Sequence, residues 1–263
     1  MDFEKEEDPL VSGTGFRPLI GLLSIVVPAH NEQDNIGGVL SAARAALPGI
    51  AQRFEVVLVD DGSSDATTEV ARNAMGDHAG SLRIIRHEQK RGYGLSVAEG
   101  LAAATGDFVA FMDGDAQFDP ADLRILAARI GGADLVAGAR VRRADPRYRL
   151  AISGVFNVLV RALYGINYRD VDCGMKLMRR SFLDGALPLQ ARSALLNTEL
   201  FYKAKRSGVS VVQVPVPHYP RVAGVRSGAR LLPILRAVRE LVLLRFRLSR
   251  NWRPILPATA DPL

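Results

Sequence analysis

DFVAFMDGDAQFDP, running from Asp107 to Pro120, joins a short apolar run to a turn crowded with carboxylates. Asp107 to Met112 is aromatic and β-branched and lies between Gly106 and Gly114, which predicts a buried strand rather than a helix. Asp113 and Asp115 follow where that strand breaks off. Open α/β sheets bind ligands at the carboxyl ends of their strands, and paired carboxylates suit Mg²⁺ or Mn²⁺, hard cations that keep coordination positions for phosphate oxygens. An acidic turn is the alternative, because Asp and Gly favour turns on their own account.

Outward from this stretch, strand and helix patterns alternate. Strands are expected at Leu22 to Val27, Phe54 to Asp60, Leu82 to Arg86, Asp107 to Met112 and Ala133 to Ala137, the first stopped by Pro28. Helices are expected at Glu32 to Leu47, up to Met75 with Ser63 or Ser64 as the cap, and at Tyr93 to Ala104. This order predicts an α/β fold with a mostly parallel central sheet flanked by helices. Three strand ends then carry polar clusters: PAHNE (Pro28 to Glu32), DDGSSD (Asp60 to Asp65) and DGDAQ (Asp113 to Gln117). In a parallel sheet they converge on one edge, where Asp60 can accept hydrogen bonds from a nucleobase or ribose while Asp113 and Asp115 hold a cation for a diphosphate.

Composition narrows the class. The chain has 263 residues, 48% apolar and 24% charged, enough for one large core. A single cysteine, Cys173, rules out an internal disulfide and reads as a small core residue, and the four histidines show no zinc-ligand spacing. MDFEKEEDPL at the start lacks the basic head and apolar centre of a signal peptide, and no stretch reaches a bilayer-spanning length, which predicts a cytoplasmic protein. Those ten residues hold five acids and one lysine, net −4, so the overall +6 leaves +10 on the remainder. From Arg221 to Arg253 there are nine arginines and one acid, Glu240, among Leu231, Leu235, Val238, Leu241 and Val242. Such a basic amphipathic helix can lie on an anionic membrane, where Leu241 to Leu244 and Phe246 would reach the headgroup boundary. It can equally pack on the domain or form the surface of a homo-oligomer. Nucleic acid fits less well, since no aromatic stacking platform accompanies the arginines.

Two other chemistries fail on spacing. A dinucleotide fingerprint requires a third glycine that the segment after Gly92 and Gly94 lacks. Phosphatases with an aspartyl nucleophile place Thr or Val where this chain has Gln117, and their nucleophile strand tends to come first, whereas this one is fourth.

The segments IVVPAHNE (Ile25 to Glu32), VLVDDGSSD (Val57 to Asp65), RGYGLSVAEG (Arg91 to Gly100) and FMDGDAQFDP (Phe111 to Pro120) resemble family-2 glycosyltransferases. VDCGMKL (Val171 to Leu177), NTEL (Asn197 to Leu200) and HYPRVAG (His218 to Gly224) resemble, within them, the polyprenyl-phosphate (dolichol-phosphate) mannosyl- and glucosyltransferases. The resemblance implies a GT-A fold over 21–228, between an acidic, disordered segment (1–20) and a basic helical tail (229–263). It also implies an inverting hexosyl transfer, dependent on Mg²⁺ or Mn²⁺, from a nucleoside-diphosphate sugar, GDP-mannose or UDP-glucose, to polyprenyl phosphate at the cytoplasmic membrane face. A soluble enzyme acting on a glycan or small-molecule hydroxyl is the alternative, and a non-catalytic sugar-nucleotide binder the contrasting class.

By matching position, Pro28, Ala29, Asn31, Glu32, Asp60 and the adjacent Asp61 would hold the nucleoside, and Asp113, Asp115 and Gln117 the metal. Arg221 would clamp phosphate through its guanidinium fork. A Ser-Lys usual in the family after that arginine is absent, leaving Arg226 or Arg230 to meet the acceptor phosphate. Arg142, Arg143, Arg147 and Arg149 can cap the cleft from a basic loop, or be ordinary surface charge. A phosphate acceptor needs no strong base, because its second pKa lies near 6 and it is largely dianionic at neutral pH. A hydroxyl acceptor would need one, and Asp172 and Glu199 are then the candidates, although Glu199 also reads as a first-turn helix acid.

Overall fold

A computed structural model describes residues 16–141, 147–221 and 231–254, with side chains throughout except at 147–153, 231–238 and 251. The acidic start up to residue 15, the loop positions Arg142 and Arg143, and Arg226 and Arg230 lie outside the described residues, as do the side chains of Arg147 and Arg149.

β1 (Leu19–Ala29) leads into α1 (Gln33–Ala46), whose Ile36, Val39, Leu40 and Ala43 form one buried helical stripe. β2 (Ala51–Asp60), α2 (Thr67–Met75), β3 (Leu82–Arg86), α3 (Tyr93–Ala103) and β4 (Phe108–Phe111) complete the expected alternation. Then come α4 (Leu123–Ala127), β5 (Leu135–Arg140), α5 (Arg147–Tyr164), β6 (Lys176–Arg179), α6 (Arg180–Ala186), α7 (Leu196–Ser207), β7 (Val211–Val216) and α8 (Leu231–Asn251).

The seven strands form one sheet in the order β3-β2-β1-β4-β6-β5-β7. β6 is antiparallel to both its neighbours and every other pairing is parallel. Alternate residues of β1 enter two different cores. Leu23, Ile25 and Val27 pack with α1 and α2, while Val26 packs with residues of α3, α5, α7 and α8 on the other face. A sheet covered on both sides explains why β1 is apolar on both faces from Ile25 to Ala29.

Three differences from the sequence expectation have simple causes. β1 continues through Pro28 because the face of the ladder where that residue would donate has already ended: Val26 makes the last pairing with β4. Pro28 therefore forfeits no sheet hydrogen bond. Neither Ser63 nor Ser64 caps α2. That service comes from Asp65, which accepts from the Thr67 N–H at 3.0 Å, while the two serines tie to Asn31. β6 was not legible because it is four residues long and carries a lysine, Lys176, in its buried face.

α8 packs on the domain. Leu241, Leu244 and Leu248 are buried, the Tyr164 hydroxyl donates to Leu241 O at 2.6 Å, and Arg245 Nε donates to Leu163 O at 3.0 Å. This corrects the expectation that Leu241 and Leu244 reach a membrane, because the domain core already covers them. Val242, Leu243 and Phe246 remain exposed. Among the described residues, no helix is long and apolar enough to cross a membrane.

Candidate active site

The carboxyl ends of β1, β2 and β4 bring the three polar clusters together. Asp61 N donates to Ala29 O at 2.8 Å, closing the β1 and β2 ends, and the Asn31 carboxamide oxygen accepts from Ser64 N at 2.9 Å. Pro28 and Ala29 are buried and contribute backbone to this wall.

Asp113 and Asp115 follow β4 and are half-buried. Burial, and then the neighbouring Asp115 charge, push the Asp113 carboxyl up to about 7, against the pull of Tyr93, Arg140 and Lys176. Burial likewise raises Asp115, countered by the Gln117 N–H and by Arg221. The Tyr93 hydroxyl donates to Asp113 Oδ1 at 2.8 Å. Gly174 presses on the other oxygen: a Cβ there would stand 2.1 Å from Asp113 Oδ2. Two desolvated carboxylates held this way fit a divalent cation, whose charge would relieve both desolvation and repulsion. Gln117 is tied to Tyr219 by donating from Nε2 to Tyr219 O at 3.3 Å and by accepting at its backbone carbonyl from Tyr219 N at 2.9 Å.

That clasp brings Arg221 to the site, where its guanidinium pairs with Glu32 and lowers the Asp115 pKa. Glu32 also accepts from Asn35 Nδ2 at 2.6 Å. The expected phosphate arginine and the expected nucleoside acid are thus partners in this structure.

Asp60 and Asp61 accept hydrogen bonds from the surrounding chain. Asp60 is fully buried and accepts from Ser63 N at 2.9 Å and from the Thr68 hydroxyl at 2.7 Å. Asp61 accepts from Arg91 N at 2.7 Å, Gly92 N at 2.9 Å and the His87 ring at 2.8 Å. Both carboxylates brace the wall through these bonds. Glu199 is a first-turn acid of α7, as one of the two readings expected. It is fully buried, accepts from Gln190 N and Ala191 N, and pairs with Lys203 at 2.8 Å, so its carboxylate is committed to anchoring the loop before α7. Asp172 lies within electrostatic range of Tyr93 and Lys176.

Sequence reasoning missed the supporting shell. Lys176 is fully buried between the rings of Phe111 and Phe201, and its three donors meet Val171 O at 3.2 Å, Cys173 O at 2.5 Å and Asn197 Oδ1 at 2.7 Å. Burial lowers its pKa to about 8. It therefore props from within the loop that places Gly174 against Asp113. Arg140 is gripped by Asp170 through Nε at 2.7 Å and Nη2 at 2.5 Å. A lysine inside an apolar run was the one available signal for Lys176; Tyr93 and Asp170 gave none.

The family model for glycosyl transferase family 2 matches residues 24–186. This chain belongs to glycosyl transferase family 2. The glycosyltransferase is 30% identical over 224 residues to the undecaprenyl-phosphate 4-deoxy-4-formamido-L-arabinose transferase of Aeromonas hydrophila, covering 85% of this chain and 67% of that one. It is also 30% identical over 241 residues to the dodecaprenyl-phosphate galacturonate synthase of Rhizobium johnstonii, covering 88% and 69%. The glycosyltransferase thus spans about two thirds of these relatives' length. Among solved structures, it resembles glucosyl-3-phosphoglycerate synthase from Mycobacterium tuberculosis, in complex with Mn²⁺, uridine diphosphate and phosphoglyceric acid, with a TM-score of 0.65 and 23% identity over 89% of this chain and 80% of that one. That likeness establishes the GT-A fold expected from the sequence.

Proposed function

We propose that this glycosyltransferase transfers a hexose or hexose-like sugar from a nucleoside-diphosphate donor to a polyprenyl phosphate at the cytoplasmic membrane face, with inversion and with Mg²⁺ or Mn²⁺. The observation that carries the reading is the pair Asp113 and Asp115 following β4 at the carboxyl edge of the sheet, one held by the Tyr93 hydroxyl and the other beside Arg221. The polyprenyl acceptor is supported by the names of both relatives, and a uridine carrier by the ligand of the structural neighbour.

Asp113, Asp115 and Gln117 would hold the cation. When bound, it would supply positive charge to the departing diphosphate. Tyr93 fixes the Asp113 carboxylate from one side and Gly174 confines it on the other, so its orientation is set before any ligand arrives. Arg221 can exchange Glu32 for a phosphate, whose oxygens can take its guanidinium fork bidentately and carry greater charge. The acceptor phosphate oxygen forms the new bond to the anomeric carbon as the bond to the diphosphate oxygen breaks, and the electron pair leaves with the nucleoside diphosphate. An acceptor already dianionic brings no proton that must be removed, which agrees with a Glu199 carboxylate occupied elsewhere.

The test is a radiolabelled transfer assay with UDP- and GDP-sugars, polyprenyl phosphate and either metal, scoring label in the organic phase. Metal-dependent lipid labelling that disappears in Asp113→Asn supports the assignment. Normal turnover by that variant defeats the site, and label moving only to soluble hydroxyl acceptors defeats the acceptor.

A further inference from the structure

A cavity of about 390 Å³ lies away from the acidic cleft, between the loop at 190–193 and α8, lined by Arg192, Arg239, Glu240, Leu243 and Arg247. Its charge is lopsided, with three guanidiniums against one carboxylate. That carboxylate is engaged, since Glu240 Oε1 accepts from the backbone N–H of Arg192 at 3.2 Å. Among the described residues no acid or carbonyl holds the side chains of Arg192, Arg239 or Arg247. Arg245, one turn from these, shows the alternative: it is tied to Leu163 O and lies 5.2 Å over the Tyr202 ring. Converging unpaired guanidiniums form a site for a phosphate oxyanion.

The surroundings say which phosphate. Arg239, Leu243 and Arg247 recur at four-residue spacing and share one stripe of α8. Val242 and Phe246 stand exposed on the adjoining stripe. A free phosphate makes no use of this apolar border, whereas a phosphate ester bearing hydrocarbon chains fills both halves. We propose that this cavity binds the headgroup phosphate of an anionic phospholipid, with Val242, Leu243 and Phe246 meeting the acyl boundary. The inference rests on the membrane placement proposed above and not on the sugar or acceptor.

The cavity is also one loop from the candidate active site. The backbone of Arg192 and Ser193 packs so closely on Gly94 that a Cβ there would stand 2.4 Å from Arg192 C, and Tyr93, which holds Asp113, is the preceding residue. A headgroup held at Arg192 would therefore set the acidic cleft beside the bilayer surface.

The experiment measures sedimentation of the full chain with phosphatidylcholine vesicles, with and without phosphatidylglycerol, in the absence of donor and acceptor. Arg239→Gln/Arg247→Gln is compared with Arg53→Gln/Arg72→Gln, which removes equal charge at exposed positions on β2 and on α2, a helix of the opposite face. Each basic residue at an anionic leaflet contributes roughly fivefold to partitioning, so the first pair is expected to lose roughly 30-fold and the control less than about threefold. Phe246→Ser, which alters no charge, is expected to weaken recruitment as well. Equal losses in the two double variants would reduce the effect to diffuse charge and overturn the site. Calorimetric binding of inorganic phosphate at the same arginines with no vesicle recruitment would overturn the lipid. Recruitment needs no turnover, so a chain that binds vesicles yet transfers nothing to polyprenyl phosphate would sink the proposed reaction and leave this site standing.

Discussion

Tyr93→Phe removes one oxygen and keeps the ring, so it isolates the hydrogen bond from Tyr93 to Asp113. That donor favours the charged carboxylate, and its loss must raise a pKa already near 7. A hydrogen bond to a charged group is worth about 1.5–3 kcal/mol, or about one to two pKa units. At pH 7 the ionised fraction of Asp113 then falls from about one half to between about 9% and 1%, and affinity for a divalent cation drops by ~5- to 50-fold. Mn²⁺ titration followed by electron paramagnetic resonance, repeated as the pH is raised, measures this directly. The deficit should be largest near neutrality and close as alkaline pH ionises the variant's Asp113. Equal Mn²⁺ affinity at pH 7, or a deficit that does not shrink with rising pH, would refute the reasoning.

Gly174→Ala drives a methyl into Asp113 Oδ2, and displacement of that carboxylate by about 1 Å is expected to cost on the order of 100-fold in transfer rate; an unimpaired rate would show that Asp113 need not be held there. Glu199→Gln leaves Lys203 buried without its countercharge and should lower unfolding free energy by about 3–5 kcal/mol in urea titrations. A variant as stable as the parent that lost one limb of its pH–rate profile would instead make Glu199 a catalytic base. At His87, burial lowers the pKa but is outweighed by Asp61 and Glu99, so the net shift is upward. Its stabilisation is therefore complete below the unfolded value of about 6.5 and disappears as pH rises through the folded value. The stability gap between the parent and His87→Gln should narrow on going from pH 6 to alkaline conditions, and a gap that widened would reverse the sign.

Periodicity and turn chemistry are local properties, and the chain displays them openly. Runs such as Val56 to Val59 could be read as strands, and alternation with helices made the sheet parallel, because both depend on neighbours in sequence. Asp113 and Asp115 were legible as well, since carboxylates after a buried strand of a parallel sheet can only lie at its edge. What each carboxylate does there was not. Asp60 and Asp113 look alike in sequence, yet one is held by Ser63 and Thr68 while the other is pushed up to about 7 by burial and the neighbouring Asp115. Glu199 looked like a candidate base until Lys203 and two backbone N–H groups proved to occupy it. Leu241 and Leu244 looked ready for a membrane until α8 turned them inward and left Val242 and Phe246 outside. Lys176 at the start of β6 and Tyr93 at the start of α3 reach the site through contacts no local pattern encodes. The sequence by itself determined the alternating elements of the first half of the chain and which edge of the sheet carries the chemistry. Only the tertiary structure decided which charges are neutralised and which remain available, because desolvation and pairing depend on residues brought together from across the chain.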